Sequence, residues 1–126
     1  MSEPALPVRQ SRIIDMEAAL DHVRDGMTVG IGGFINSSHP MLAVRGLIRR
    51  GFRNLTVVGA ASSGLEIDML VASGCVKRVV APYVGAEVLA PIGPAFRAAA
   101  ERSLIEVFEL DEAMYYAALR AAAVGL

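Results

Sequence analysis

Apolar and polar positions along this chain switch repeatedly between a helical and a strand period. Asp15 precedes "MEAALDHVRD", in which Ala19, Leu20 and Val23 recur at helical spacing and Gly26 follows as a C-terminal cap, so the pattern predicts a helix over about 15–24. "MTVGI" is a short β-branched run closed by glycines. "HPMLAVRGLIRRG" predicts a second helix, with Pro40 in its first turn, Leu42, Val44, Leu47 and Ile48 on a broad apolar face, and Gly51 at its end. "NLTVVGA" and "VKRVVAPY" read as buried strands, separated by the helix "GLEIDMLVASG" with Gly74 as its cap. "GAEVLAPIGPAFRAAAERS" begins as a loop, interrupted by Pro91 and Pro94, and turns helical from about 95. "LIEVFEL" is a fourth strand, and "DEAMYYAALRAAAVG" a last helix with Asp111 in capping position.

Strand and helix thus alternate four times at intervals of about 25 residues, the pattern of βαβ units with right-handed crossovers. The expected fold is α/β: an open, mainly parallel sheet with flanking helices, in a single domain over 1–126. Ligands of such sheets bind at the carboxyl ends of the strands. The glycine cluster "TVGIGGFINSSHP", Thr28 to Pro40, lies at that end of the first strand.

Composition narrows the partners. Twelve basic against thirteen acidic residues give a net charge of -1, and the longest basic cluster is Arg49-Arg50 with Arg53 just beyond, so nucleic acid is not expected. With 54% hydrophobic residues the chain suits a globular domain, yet no apolar stretch reaches the roughly 18 residues of a membrane span. The single Cys75 cannot form an intramolecular disulfide, and "MSEPALPVRQ" is polar and proline-punctuated, so the expected compartment is the cytoplasm.

The glycine loop itself fits several chemistries unequally. A dinucleotide fingerprint needs glycines at its first, third and sixth positions; Gly30 and Gly32 comply, but position 35 is Ile, and "VVGAAS" carries no acid after the second strand. A phosphate loop lacks its Gly-Lys-Ser/Thr ending. The glycines alternatively serve only a tight turn beneath the next helix, with Ser38 as cap. Asn36, Ser37 and Ser38 either hydrogen-bond a substrate carboxylate or cap that helix. Ser62 and Ser63 follow the second strand at the same edge, as turn formers or as site lining. Tyr83 and Gly85 follow the third, against the alternative of core packing, while Lys77 and Arg78 open it at the opposite end as solvated charges. His22 falls on a polar helix face and His39 in a loop; both read as surface histidines, and with one Cys and no ligand spacing no metal site is expected.

Asp25-Gly26, an apolar run, Gly32-Gly33-Phe34 and then Pro40 resemble the signature of the α subunit of family I CoA-transferases, of the glutaconate CoA-transferase type. "NLTVVGAASSG", "GCVKRVVAPYVG" and "LIEVFELDEAMYYAALRAAAVGL" agree with it in order, so the resemblance covers roughly residues 12 to 126. Gly30 stands where the family has an apolar residue, and Ser38 where many members have glycine. Because family α subunits are about twice this length or more, the resemblance implies an N-terminal fragment of a longer α subunit with the Rossmann-like CoA-transferase fold.

The resemblance also implies a mechanism. A glutamate of a β subunit attacks an acyl-CoA thioester and hands CoA to a second carboxylate through covalent intermediates. This chain then contributes a wall of the site: Gly32 and Gly33 offer backbone N–H groups to a developing oxyanion, and Phe34 packs on the acyl chain or the CoA arm. No bound cofactor is implied, the CoA thioester and a carboxylic acid being substrates. Glu112 stands where CoA-transferases look to have glutamine, and so resembles a steroid-degradation branch whose members hydrolytically open a ring of a CoA thioester without the β-subunit nucleophile. A carboxylate there can act as base or nucleophile, whereas an amide can only hydrogen-bond; an acid in a first helical turn is also favoured by the helix dipole alone. Three functions therefore stand open: a transferase subunit, a CoA-thioester hydrolase or ring-opening enzyme using Glu112, and a non-catalytic fragment or regulatory domain. The apolar end "AAAVGL" predicts exposed surface that promotes association.

Overall fold

Asp15 opens the first helix by accepting a hydrogen bond from the Ala18 N–H at 2.7 Å, satisfying one of the donors that a helix start leaves unpaired. The computed structural model describes residues 13–126. Nine elements follow in order: α1 Met16–Leu20, β1 Thr28–Gly30, α2 Met41–Arg50, β2 Leu55–Val58, α3 Leu65–Ala72, β3 Val76–Val80, α4 Pro94–Glu101, β4 Glu106–Phe108 and α5 Glu112–Ala123. The alternation is the expected one, but local chemistry moves several boundaries.

Helix α1 stops at Leu20 rather than near 24, with Asp21 as its C-cap. The Arg24 guanidinium hydrogen-bonds the Asp21 and Val23 carbonyls just beyond this end. Gly26, expected as the cap, instead takes φ 79 in the turn into β1 and donates to the Arg53 carbonyl at 3.0 Å. Pro40 precedes the first turn of α2 as its N-cap, and no side chain caps that end; Ser38, expected to do so, has φ 59. Gly51 does end α2, in the left-handed conformation at φ 69. Pro94 opens α4 as its first residue instead of interrupting it, and the Asp68 carboxylate, from α3, accepts the Phe96 N–H at 2.7 Å.

The four strands form one parallel sheet in the order β1-β2-β3-β4. Register pairs Val29 with Val57, Val57 with Val79 and Val79 with Val107, so one row of valines crosses the sheet on a single face. Val57 and Val79 in that row have no exposed surface. Helices α1 to α4 pack in sequence, each against the next, which places them in one layer over the valine face. Gly46 permits the close approach of α2 to α1, since a Cβ there would lie 2.5 Å from a Leu20 methyl. Leu47, Ile67, Leu70 and Ala99 complete the core between the layers.

The strands expected to be buried are therefore buried on one face only. β2 alternates buried and half-buried positions, whereas a parallel strand covered on both faces would bury every residue. The reverse face carries the rows Thr28–Thr56–Arg78–Glu106 and Gly30–Val58–Val80–Phe108, with Phe108 56% exposed. A bulge between Leu55 and Thr56 skips one partner, pairing Leu55 with Val76 and Thr56 with Arg78. Lys77 is the residue left over, and both Lys77 and Arg78 remain exposed. No helix among the described residues is long and apolar enough to cross a membrane.

Candidate functional site

At the carboxyl edge of the sheet, hydrogen bonds lace the post-strand loops together. Ile31 N–H donates to the Val58 carbonyl at 2.9 Å, Ile35 to Ser62 at 2.8 Å, Ser63 to Tyr83 at 3.0 Å and Gly85 to Ser63 at 2.9 Å. The loop after β1 doubles back on itself: Phe34 and Ser37 exchange N–H···O bonds of 2.9 and 2.8 Å. Ile35 sits inside that turn at φ 45, a left-handed conformation that β-branched residues rarely occupy. Within this segment the N–H groups of Gly32 and Gly33 meet no acceptor among the described residues.

The sequence treats Gly32 and Gly33 alike, and the structure separates them. A Cβ on Gly32 would enter open space, whereas Gly33 has φ +136 and a Cβ there would lie 2.0 Å from His39 Nδ1. The His39 ring fills the space beneath Gly33. Its side chain is 4% exposed, so the expectation of a surface histidine is overturned. Nδ1 is 3.1 Å from the Gly32 carbonyl oxygen, and Nε2 is 2.9 Å from that of Ile35 and 3.3 Å from Glu66 Oε2. Glu66 is fully buried, and both its carboxylate oxygens lie 3.1 Å from the Gly64 nitrogen at the start of α3.

Asn36, Ser37 and Ser38, together with His39, form the polar wall of a cleft of about 340 Å³ whose apolar wall is Met41, Leu65 and Leu89. Phe34 projects 61% exposed from the same loop. Ser62 is half-buried and shares the loop through its carbonyl. Ser63, by contrast, is fully buried with its hydroxyl on the Ala60 carbonyl at 3.1 Å, so it lines no open surface. Gly85 is also buried, with Tyr83 Oη and the Pro91 carbonyl each 2.5 Å from where its Cβ would stand; close packing requires glycine there. Tyr83 accepts the Glu87 N–H at 3.1 Å and borders a second cleft, of about 330 Å³, with Phe96, Val107 and Glu109.

Glu112 begins α5 exposed to solvent, beside Asp111, whose carboxylate caps the helix by accepting the Met114 N–H at 2.8 Å. It borders neither cleft. Lys77 and Arg78 lie at the opposite end, at a third cleft of about 440 Å³ with Gly26, Asn54 and Thr56. They are paired rather than merely solvated: Glu106 lies 2.5 Å from Arg78 and 4.0 Å from Lys77. The Arg78 hydrogen bond, then its charge, holds the Glu106 carboxyl below its usual range. No three His, Cys, Asp or Glu side chains gather to hold a metal ion among the described residues.

The sequence reading passed over His39 and Glu66 as a pair. One signal was available. Glu66, Ile67, Leu70 and Val71 form the buried stripe of α3, and an acid on an apolar stripe demands a buried partner.

The sequence profile described as coenzyme A transferase matches residues 13–126. The cholesterol ring-cleaving hydrolase IpdA subunit of Rhodococcus jostii is 33% identical over 118 residues, 94% of this chain and 39% of that protein. Among solved structures, glutaconate coenzyme A-transferase from Acidaminococcus fermentans superposes with a TM-score of 0.84 at 27% identity, covering 92% of this chain and 37% of that one. A cysteine-to-serine variant of the decarboxylase AibA/AibB superposes with a TM-score of 0.81 at 29% identity, covering 90% and 44%. The chain thus spans less than half the length of each.

Proposed function

The chain belongs to the coenzyme A transferase family, and on that premise we propose that it is part of the α subunit of a heteromeric, cytoplasmic enzyme that moves CoA between an acyl-CoA thioester and a carboxylic acid. The observation that carries this reading is the loop after β1. It brings the N–H groups of Gly32 and Gly33, which have no acceptor among the described residues, to the carboxyl edge of the sheet, beside a cleft with one polar and one apolar wall. In the proposed reaction a carboxylate of the β subunit attacks the thioester carbon and the CoA thiolate leaves. The carbonyl oxygen bears negative charge as the tetrahedral species forms, and preorganised backbone donors stabilise that charge more than they stabilise the substrate. Asn36, Ser37 and Ser38 offer hydrogen bonds to the acid group of the substrate, and Phe34, Met41, Leu65 and Leu89 offer apolar surface to its chain.

A second reading rests on Glu112 and on the 33% identity to a ring-cleaving hydrolase subunit. In it, the exposed Glu112 carboxylate acts as base or nucleophile toward a CoA thioester without an acceptor acid. The deciding experiment uses the complete α chain with its partner, supplied with acyl-CoA thioesters with and without carboxylate acceptors, and separates free CoA from new thioester. Transfer predicts new thioester only when acceptor is present, with activity retained in Glu112→Gln. Free CoA or a ring-opened product without acceptor, lost in Glu112→Gln, establishes the second reading. Neither product under any condition would falsify both.

A further inference from the structure

One buried ring fixes two peptide planes of the loop after β1. His39 holds the Gly32 carbonyl on Nδ1 at 3.1 Å and the Ile35 carbonyl on Nε2 at 2.9 Å, with Glu66 Oε2 3.3 Å from Nε2. Each ring nitrogen thus faces a backbone carbonyl oxygen of the loop, and Nε2 also faces the Glu66 carboxyl group. The Glu66 side chain has no exposed surface and itself accepts from the Gly64 N–H. Gly64 is close because it lacks a side chain: a Cβ there would lie 2.3 Å from the Ile35 carbonyl oxygen.

A trans peptide directs its C=O and its N–H to opposite sides, and no peptide bond among the described residues is cis. Anchoring the Gly32 carbonyl on the ring therefore turns the Gly33 N–H away from it. Anchoring the Ile35 carbonyl does the same for the Asn36 N–H. These two N–H groups make no hydrogen bond among the described residues, whereas the N–H groups of Phe34, Ile35 and Ser37 are all taken by loop carbonyls. The held segment also carries strain, with Ile35 at φ 45 and Ser38 at φ 59, conformations that persist only where the surroundings impose them.

We propose that the buried His39–Glu66 pair is the positioning device of this site, orienting the Gly33 N–H, one of the two donors named above, and with it the Asn36 N–H as a further donor, toward the negative oxygen that develops on a thioester carbonyl. His39 touches no reacting atom in this role; it acts through the backbone it holds. The inference rests on the thioester reading above for the identity of the oxygen, and on the geometry alone for the clamp. A ring that only filled space would require neither a buried carboxylate opposite it nor acceptors at both nitrogens.

The test makes His39→Gln, Glu66→Gln and the double variant in the full-length chain assembled with its partner. It reads acyl-CoA turnover, and hydrogen–deuterium exchange over 31–39. Donors used chiefly in the transition state lower kcat by about a hundredfold when misplaced, with KM for acyl-CoA held within about twofold. Glu66→Gln is expected to fall in the same direction, and the double variant to be no worse than His39→Gln, because the two side chains act as one unit. The hydrogen-bonded amides of Phe34, Ile35 and Ser37 should exchange about tenfold faster in either variant. Wild-type kcat in His39→Gln, or a raised KM at unchanged kcat, overturns the proposal and leaves the thioester reading intact. If the unmodified enzyme turns over no thioester, that reading fails instead, and unchanged exchange in His39→Gln then overturns the clamp as well. Should His39→Gln fail to fold, Glu66→Gln, which keeps side-chain volume, decides by the same two readouts.

Discussion

The Tyr115 hydroxyl donates a 2.7 Å hydrogen bond to the Gly59 carbonyl, joining the last helix to the end of β2 across 56 residues of sequence. Gly59 has no room for a side chain, since a Cβ would lie 2.2 Å from Ser63 Oγ. Tyr115 is the buried residue of α5, so the bond is central to how that helix is held. Tyr115→Phe leaves a buried carbonyl without its donor and should destabilise the protein by about 1–2 kcal/mol in urea unfolding. Burial also raises the phenol above its ordinary 10.0. A group whose folded-state value is raised contributes fully below its unfolded value and loses that contribution as pH rises through the folded one. The native protein should therefore lose stability on the alkaline side of pH 10 more steeply than Tyr115→Phe; identical alkaline slopes would contradict this.

Gly33→Ala and Gly32→Ala should part company. The first forces an L side chain to φ +136 and against the His39 ring, while the second points into open space. We expect a loss above about 3 kcal/mol, or failure to fold, at Gly33, and a change within about 0.5 kcal/mol at Gly32. Thermal and urea unfolding of the two variants check this; equal losses would mean that the loop is not packed on His39 as described.

Arg50 should govern whether α1 stays docked. From α2 it reaches Glu17 Oε2 at 2.7 Å, Asp21 Oδ1 at 2.6 Å and the Glu17 carbonyl at 2.9 Å. Five residues are too few to hold a helix without such support. Arg50→Ala should speed amide exchange at 16–20 and leave the sheet unaffected. The Arg50 hydrogen bond, then its charge, holds the Asp21 carboxyl below its usual 3.8. That support is present above 3.8 and disappears as pH falls through the lowered value, so α1 should fray at a lower pH in the native protein than in Arg50→Ala. Coincident acid transitions would refute this account.

The 126-residue chain should self-associate through its uncovered apolar face. Phe108 is 56% exposed at the end of the row Gly30–Val58–Val80–Phe108, and Met114, Tyr116 and Leu119 are 57, 51 and 45% exposed on α5. Exposed apolar side chains in such number drive association. Sedimentation velocity at micromolar concentration should show species larger than monomer, and Phe108→Glu should shift them toward monomer. A monomeric native chain would sink the prediction.

Much of this architecture was legible in the residues, for identifiable reasons. Asp111, Gly51 and the β-branched runs act through their immediate neighbours, so the helix starts, stops and strand positions they predict are the observed ones within a few residues. One-sided burial was also latent in "LTVV", where a threonine between apolar residues marks the face that no helix covers. What the sequence reading missed depends on contacts distant along the chain. Pro94 opens a helix because Asp68, 28 residues before Phe96, accepts from its first turn. Ser63 is buried because Tyr83 and Gly85 pair with its backbone. His39 looks like a loop histidine until Glu66 is placed beside it, and nothing in "NSSHP" alone supplies that partner.

Strand order β1-β2-β3-β4 has a consequence for the order of events in synthesis. Each strand pairs with the one translated just before it, so the sheet can lengthen at one edge as the chain emerges, with no slot held open for a later arrival. Sequence-local pairing of this kind keeps the entropic cost of closure low at every step. The Ser62 carbonyl that anchors Ile35, and the Glu66 carboxylate that faces His39, both arrive before β3 begins at Val76. Every hydrogen bond of the glycine loop is therefore encoded in the first two βα units, and a ribosome that has released only that much chain has already supplied them all; of the cleft wall, only Leu89 arrives later.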